Sequence, residues 1–390
     1  MSELLTGDLY QFESLLGADD RKVLDRVRAF LDAEVRPIAN EYWARAEFPH
    51  QLVKGFADLD IAGLANPDAG GSQRSLLNGF LALELARADA SVATFFGVHT
   101  GLAMGSITAC ASPEQKERWL PAMARMEKIG AFALTEPGSG SDIAAGMTTT
   151  ARREGEEWVL DGAKRWIGNA TFADLVVVWA RDESDGKVKG FVVEKGTPGF
   201  SATKIEGKIA LRMVENADIT LEGCRVPEAN RLAGAGSFRD TAGVLRRTRS
   251  GVAWEAVGVM MAAYEIALDY ARSREQFGRP IAGFQLVQDL LVRMLGNTTV
   301  CLGMVVRLAQ LQEEGTFRDE HSALAKAYCT TRMRESVGWA RELLAGNGIL
   351  LEHDIGRFVA DAEALYSYEG TREINTLIVG RAVTGISALT

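Results

Sequence analysis

The hydrophobic period of this chain changes twice, and few folds accommodate that order. Up to about residue 129 apolar residues recur at helical spacing. From Gly130 to about 240 short strand-like runs are separated by glycine turns, and after about 241 the helical period returns. Such a chain is expected to be α+β: an all-α block over 1–129, a β block over 130–240 and an α-helical block over 241–390. With 390 residues, 47% of them hydrophobic, two to three units with large buried cores are affordable.

Between Arg21 and Pro37 the residues Val23, Leu24, Val27, Phe30, Leu31 and Val35 keep helical spacing. Asp19 and Asp20 are expected to cap this helix and Pro37 to end it. Leu76 to Ala86 reads as a second helix. Ser112-Pro113-Glu114-Gln115 reads as a helix start, with a serine cap, proline at the first position and glutamine three residues after the cap. Strands are expected at 158–160, 175–179, 191–193 and 219–221. Trp254 to Arg272, Gln285 to Glu313 and His321 to Leu344 are long enough for bundle helices, followed by a glycine-rich break at 345–348.

Several function classes are disfavoured. A net charge of -9 argues against nucleic acid or an anionic membrane as the main partner. His50, His99, His321 and His353 are scattered and no HExxH occurs, so no metal site is expected. Cys110, Cys224, Cys301 and Cys329 form no CxxC pair, which suits reduced, buried thiols. No GxGxxG follows a strand and there is no GxxxxGK[ST], so neither a Rossmann NAD domain nor a P-loop is supported. The first residues lack a basic, then apolar, leader, the last four are not an SKL-type address, and no apolar stretch is expected to span a membrane. These features point to a cytoplasmic protein without stable membrane insertion.

Five segments could carry chemistry. In Leu134-Thr135-Glu136-Pro137-Gly138-Ser139-Gly140-Ser141-Asp142 small residues let backbone N–H groups approach a pyrophosphate, and Ser141 adds a hydroxyl. In Lys164 to Asn169, Trp166 could stack on a flat ring beside Ile167 and Gly168. Arg272 to Gly278 offers guanidinium groups for phosphate and Phe277 for an adenine. Glu342 to Gly348 is a helix running into Gly-x-Gly. In Tyr368-Glu369-Gly370-Thr371 a carboxylate beside glycine and an aromatic ring could sit in an apolar cleft, where its pKa would rise as a general base requires. Read alone, each has a plain structural explanation: a turn, a core tryptophan, a solvated helix end, a helix cap, a surface glutamate.

Taken in order, the segments resemble the acyl-CoA dehydrogenase family from about residue 15 onward. Leu134 to Asp142 is similar to its first signature, Glu342 to Asp361 to its second through Gly346, Gly348, Glu352, Arg357 and Asp361, and Tyr368 to Thr371 to its catalytic segment. Phe191 to Arg212 and Gly380 to Ile386 look like glutaryl-CoA dehydrogenase, whereas Lys164 to Ala173 and Gly207 to Val214 look like plant short-chain acyl-CoA oxidase. The resemblance implies an N-terminal helical domain, a middle β-barrel-like domain and a C-terminal four-helix bundle. It also implies FAD, an acyl-CoA substrate, an electron-transfer flavoprotein as partner, and a homotetramer. Leu134, Thr135 and Ser141 would hold the flavin edge and pyrophosphate, and Trp166, with Ile167 and Gly168, would lie against the isoalloxazine. Arg274, Gln276, Phe277 and Gln285 would reach FAD in a neighbouring subunit, completed by Glu342, Gly346, Thr371 and Glu373. Arg249, Ser141, Tyr368, Gly370, Phe95 and Phe96 would line the acyl-CoA path, and Glu369 would take the α-proton.

The sequence departs from the family pattern in places. Ala93 and Gly97 stand where glutaryl-CoA dehydrogenase has an arginine and a serine that hold a distal carboxylate, so a small, apolar wall and a neutral acyl chain are expected. Gly168 stands where many family dehydrogenases carry a hydroxyl residue, as in the short-chain oxidase, which would open the flavin to oxygen. Ala345 replaces a glycine of the second signature and Glu373 a common glutamine. Three readings follow: a dehydrogenase passing electrons to a flavoprotein, an oxidase passing them to oxygen, and a catalytically silent flavin- or CoA-binding protein.

Overall fold

The structure is a computed structural model that describes residues 6–64 and 74–388. Its first block holds α1 (Ala18–Phe30), α2 (Arg36–Arg45), α3 (Leu52–Leu59), α4 (Ser75–Ala88), α5 (Ala90–Gly97), α6 (Gly105–Cys110) and α7 (Pro113–Ala124). Two expectations about α1 are corrected. Its cap position is Gly17, and Asp19 and Asp20 lie in the first turn, where their charge suits the helix dipole. Pro37 does not stop the chain: a π-helical turn, Leu31–Val35, leads into α2 with Pro37 in its first turn. A first-turn N–H has no carbonyl partner within its helix, so the missing donor of proline costs little there. The capping box of α7 forms as expected, with Ser112 Oγ accepting from the Gln115 N–H and the Ser112 N–H donating to Gln115 Oε1 at 2.9 Å.

The middle block contains β1 (Gly130–Ala133), the single turn α8 (Ile143–Gly146), β2 (Thr150–Glu154), β3 (Glu157–Ile167), β4 (Leu175–Asp182), β5 (Val188–Glu194), β6 (Phe200–Lys204) and β7 (Ala217–Pro227). One seven-stranded sheet runs β1-β4-β2-β3-β7-β6, with β5 also on β4. β1 and β4 are parallel with Gly130 opposite Leu175, while β3 and β7 are antiparallel with Trp158 opposite Val226. The four expected strands lie inside β3, β4, β5 and β7. β2 (Thr-Ala-Arg-Arg-Glu) and β6 (Phe-Ser-Ala-Thr-Lys) escaped because they are polar and half exposed.

The last block begins with α9 (Phe238–Ser273). A short hairpin of β8 (Glu275–Gln276) and β9 (Arg279–Pro280) precedes α10 (Gln285–Glu313), α11 (Asp319–Leu343), α12 (Ile355–Ser367) and α13 (Arg372–Thr384). α4 of the first block lies directly against α9. The Phe80 and Trp254 rings are 5.2 Å apart, and a Cβ on Gly258 would stand 2.1 Å from the Leu83 carbonyl oxygen. Only glycine lets the two backbones approach so closely. One core therefore joins Leu24, Phe56, Phe80, Trp254, Met333 and Phe358 across the two helical blocks.

The expectation about membrane-spanning length is corrected too. Ala90–Cys110, Phe238–Ser273 and Gln285–Glu313 are each long and apolar enough to cross a bilayer by length and composition. In this fold much of that apolar surface is packed inside the protein: 61% and 78% of the first two windows are buried, and 39% of the third.

Candidate active site

Glu369 sits on the four-residue connector between α12 and α13, and the connector is shaped by buried polar side chains. Tyr368 is extended, Glu369 has φ of 56° and Gly370 φ of 85°, and Thr371 caps α13 by accepting from the Ile374 N–H. A positive φ at a non-glycine residue is strained, by about 1–3 kcal/mol, and persists only where the surroundings hold it. Here Lys326 Nζ donates to the carbonyls of Tyr366 at 2.7 Å and Gly370 at 2.9 Å. Asn375 Nδ2 donates to the carbonyls of Gly370 at 2.8 Å and Thr371 at 3.0 Å. Both side chains are fully buried.

The connector aims the carboxylate at α9. Glu369 Oε2 accepts from Thr248 Oγ1 at 2.8 Å, and Arg249 Nε lies 3.4 Å from the Glu369 carbonyl oxygen. Burial raises the Glu369 pKa above the ordinary carboxylate range, while the Thr248 hydroxyl and the charges of Arg249 and Lys326 pull it back. Burial in turn lowers Lys326 to about 8.

A second cluster forms where β1 and β3 end side by side. The Arg165 N–H donates to the Thr135 carbonyl at 2.8 Å. Below them Lys164 Nζ donates to the Leu134 carbonyl at 3.0 Å and to Glu136 Oε1 at 2.9 Å, both side chains being buried. Glu136 also accepts from the N–H groups of Thr148 at 2.7 Å and Thr149 at 2.9 Å, and with Lys164 beside it is held at about 2. On this base Trp166 stands 52% exposed with φ of 66° and the Arg165 guanidinium over its ring. Ile167 and Gly168 are buried behind it, and Gly138, Gly140 and Ser141 are exposed.

One helical turn connects the two clusters. A Cβ on Gly168 would lie 3.2 Å from Val98 Cγ2, and a Cβ on Gly101 would lie 3.4 Å from Thr248 Cγ2. The segment 98–101 thus touches the end of the Trp166 strand on one side and the hydrogen-bond donor of Glu369 on the other. A carboxylate of raised pKa and a shelf with an exposed indole, bridged by one helical turn, are the groups needed to remove a proton beside a flat redox ring.

The chain matches the acyl-CoA dehydrogenase N-terminal domain over residues 17–127, the middle domain over 131–224 and the C-terminal domain over 237–384. It belongs to the acyl-CoA dehydrogenase family. It is 34% identical over 358 residues to the mitochondrial short-chain specific acyl-CoA dehydrogenase of Mus musculus, covering 90% of this chain and 87% of that one. A glutaryl-CoA dehydrogenase from Mycobacterium smegmatis, solved in complex with FADH2, superimposes with a TM-score of 0.95 at 32% identity, covering 100% of both chains. A solved structure of the electron transferring flavoprotein of Acidaminococcus fermentans contains a chain that superimposes with a TM-score of 0.90 at 29% identity, covering 95% of this chain and 98% of that one.

Within this acyl-CoA dehydrogenase fold the second signature acts as a brace. Arg357 pairs with Asp89, whose other oxygen accepts from the Val92 N–H at 2.9 Å and caps α5. Asp361 accepts from Trp43 Nε1 at 2.9 Å and the Leu211 N–H at 2.6 Å. Glu352 is exposed. The residues expected to reach a neighbour's cofactor form a separate patch on the C-terminal domain. Arg274, Gln276, Phe277 and Gln285 lie exposed around the β8–β9 hairpin and the start of α10, and Glu342 and Gly346 are exposed at the end of α11. Thr371 is occupied as a helix cap, and Glu373 is exposed and paired with Arg372.

The segment expected to form the acyl wall is shared between core and site. Phe95 and Phe96 are buried in an aromatic cluster, Phe95 with Phe48 at 4.4 Å and Phe96 with Phe56 at 5.3 Å, so their rings serve the core of the N-terminal domain. The side of α5 nearest the catalytic segment carries Thr94 and Gly97 instead. That wall is not wholly apolar: Glu255 of α9 lies against it, its Oε2 accepting from Tyr368 Oη at 2.6 Å. Sequence reasoning passed over Thr248, Glu255, Lys326 and Asn375. Thr248 and Glu255 share a helix face, being seven residues apart, but nothing in the sequence says which partner that face meets.

Proposed function

We propose that this protein is an FAD-dependent dehydrogenase of short, uncharged acyl-CoA thioesters, with Glu369 removing the α-proton. The observation that carries the reading is the Glu369 carboxylate, raised in pKa by burial and oriented by Thr248, one helical turn from the shelf bearing Trp166. The shelf fits FAD: an exposed indole can stack on a flat ring, and exposed Gly138, Gly140 and Ser141 admit a pyrophosphate to backbone N–H groups. When bound, the flavin would accept the β-hydride. The protein's own part is to hold the thioester with its α-carbon before Glu369, exclude water and receive the proton on the carboxylate. The Glu369 N–H, which belongs to the strained connector, would donate to the thioester carbonyl where negative charge develops.

The assigning experiment is a spectral titration of the purified protein. Anaerobic butyryl-CoA should bleach the flavin band, and a colourless or unresponsive protein refutes the reading. Gly168, which places no hydroxyl at the shelf, supports a second reading as an oxidase; rapid peroxide formation in air would select it. Electron-transfer flavoprotein is the acceptor we propose. A homo-oligomer, a tetramer by family resemblance, is favoured by Phe277 and Leu286, 94% and 82% exposed beside the expected intersubunit cofactor patch. The four cysteines are free and buried, which suits a reducing compartment, and we propose the cytoplasm.

Two outcomes follow directly. Glutaryl-CoA should be turned over at least about 100-fold less efficiently than butyryl-CoA in kcat/KM, because a distal carboxylate would lie unpaired near Glu255. Equal efficiency would refute the neutral-substrate assignment. The pH profile of kcat/KM should rise along a limb above the ordinary carboxylate range, since Glu369 acts only when ionised. Thr248→Val removes a donor to the ionised form, so its limb should move to still higher pH; a limb that stays or falls contradicts the role of Thr248.

A further inference from the structure

Glu255 is a buried acid that the proton transfer does not use. It lies seven residues beyond Thr248 on α9, on the same helix face and roughly 10 Å further along the axis. Its side chain is 7% exposed. One oxygen, Oε2, accepts from Tyr368 Oη at 2.6 Å. The other, Oε1, has no hydrogen bond among the described residues and lies 3.4 Å from where a Cβ of Gly97 would stand. Gly97 is itself partly exposed, so the free oxygen looks out through the gap that the missing side chain leaves. Burial, with the Glu369 charge nearby, raises Glu255 to about 7. Holding Tyr368 needs only one acceptor, which leaves Oε1 open to a donor that enters through this gap.

We propose that Glu255 forms a distal subsite of the acyl pocket and that the preferred substrate carries a hydrogen-bond donor, a hydroxyl or an ammonium group, on a carbon remote from the thioester. This rests on the acyl-CoA reading above and narrows its uncharged-chain assignment to a chain without negative charge: a hydroxyl keeps the far end neutral, whereas an ammonium would replace neutrality with a charge opposite to that of Glu255. The donor group satisfies Oε1, while Tyr368 continues to satisfy Oε2. Thr94, beside the Tyr368 hydroxyl, and Gly97 give the group room. A plain alkyl chain leaves the acceptor unpaired, and a site built around a substrate donor discriminates strongly against the analogue that lacks it.

The test compares kcat/KM of the holoenzyme for 5-hydroxypentanoyl-CoA and 5-aminopentanoyl-CoA, each divided by the value for pentanoyl-CoA. At least one ratio should exceed about 10, and the two arms distinguish hydroxyl from ammonium. In Glu255→Leu that preference should fall to one or below. Should this variant not yield holoenzyme, Glu255→Gln carries the test, with the favoured ratio reduced several-fold. Both ratios at or below one in the parent protein, or a favoured ratio unchanged in the variant, overturn the subsite while pentanoyl-CoA turnover leaves the parent reading intact. Failure of all three thioesters to bleach the flavin overturns the parent reading and the subsite with it.

Discussion

Glu369→Gln should keep the fold and the flavin and lose turnover. Glutamine has the same shape, its oxygen can still accept from Thr248 Oγ1, and it can occupy the same strained backbone position that Lys326 and Asn375 hold. What it lacks is a lone pair basic enough to take a proton. A positioned general base is worth about 10²–10⁴-fold, so single-turnover bleaching should slow by at least that range. Stability should move in the other direction. Burial raises the Glu369 pKa, so folding favours its protonated form, and the ionised group works against the native state at pH values above that pKa. A neutral glutamine removes this penalty, and the melting temperature should hold or rise. An unchanged bleaching rate would take the base away from residue 369.

Lys164→Met should have the largest effect on stability. The lysine is fully buried, with its ammonium on the Leu134 carbonyl and the Glu136 carboxylate, directly beneath the loop proposed to bind pyrophosphate. Methionine fills the volume and leaves Glu136 charged without its cation. Breaking one side of a buried pair costs about 3–5 kcal/mol, and denaturant unfolding should report a loss of that order together with weakened FAD retention. Glu136 at about 2 lies below its unfolded value, so it contributes stability that is fully present above about 4.5 and is lost as the pH falls toward 2. Without Lys164 that depression shrinks, and acid unfolding should begin at higher pH. The double variant Glu136→Gln/Lys164→Met should recover much of the loss. A single variant as stable as the parent would mean the pair is dispensable.

The helical blocks were readable because their apolar residues repeat, and α10 was read to its ends, Gln285 and Glu313. The start of α9 was not, since Arg246, Arg247 and Arg249 with Gly243 and Gly251 interrupt the period. Part of that polar stretch serves the site: Thr248 and Arg249 face the Glu369 connector. Pro37 misled because a π-helical turn is a feature of hydrogen-bond register, and no side chain announces it. Phe95 and Phe96 were given to the substrate because they lie between Ala93 and Gly97; only packing reveals that Phe48 and Phe56 also hold them. Glu369 was legible through the motif around it. Glu255 was not, because its meaning depends on Tyr368, which is remote in the chain and adjacent only once α12 has folded against α9.

The close crossing of α4 and α9 bears on how the polypeptide is made. On the ribosome α4 emerges while α9 is still untranslated, with the whole β domain to come between them. Until then Phe80 and Leu83 have no Trp254 or Gly258 to lie against. The early helices must wait as an unfinished, adhesive segment, the kind of nascent chain that chaperones shelter, and the first third of the molecule matures only when synthesis is well into the last.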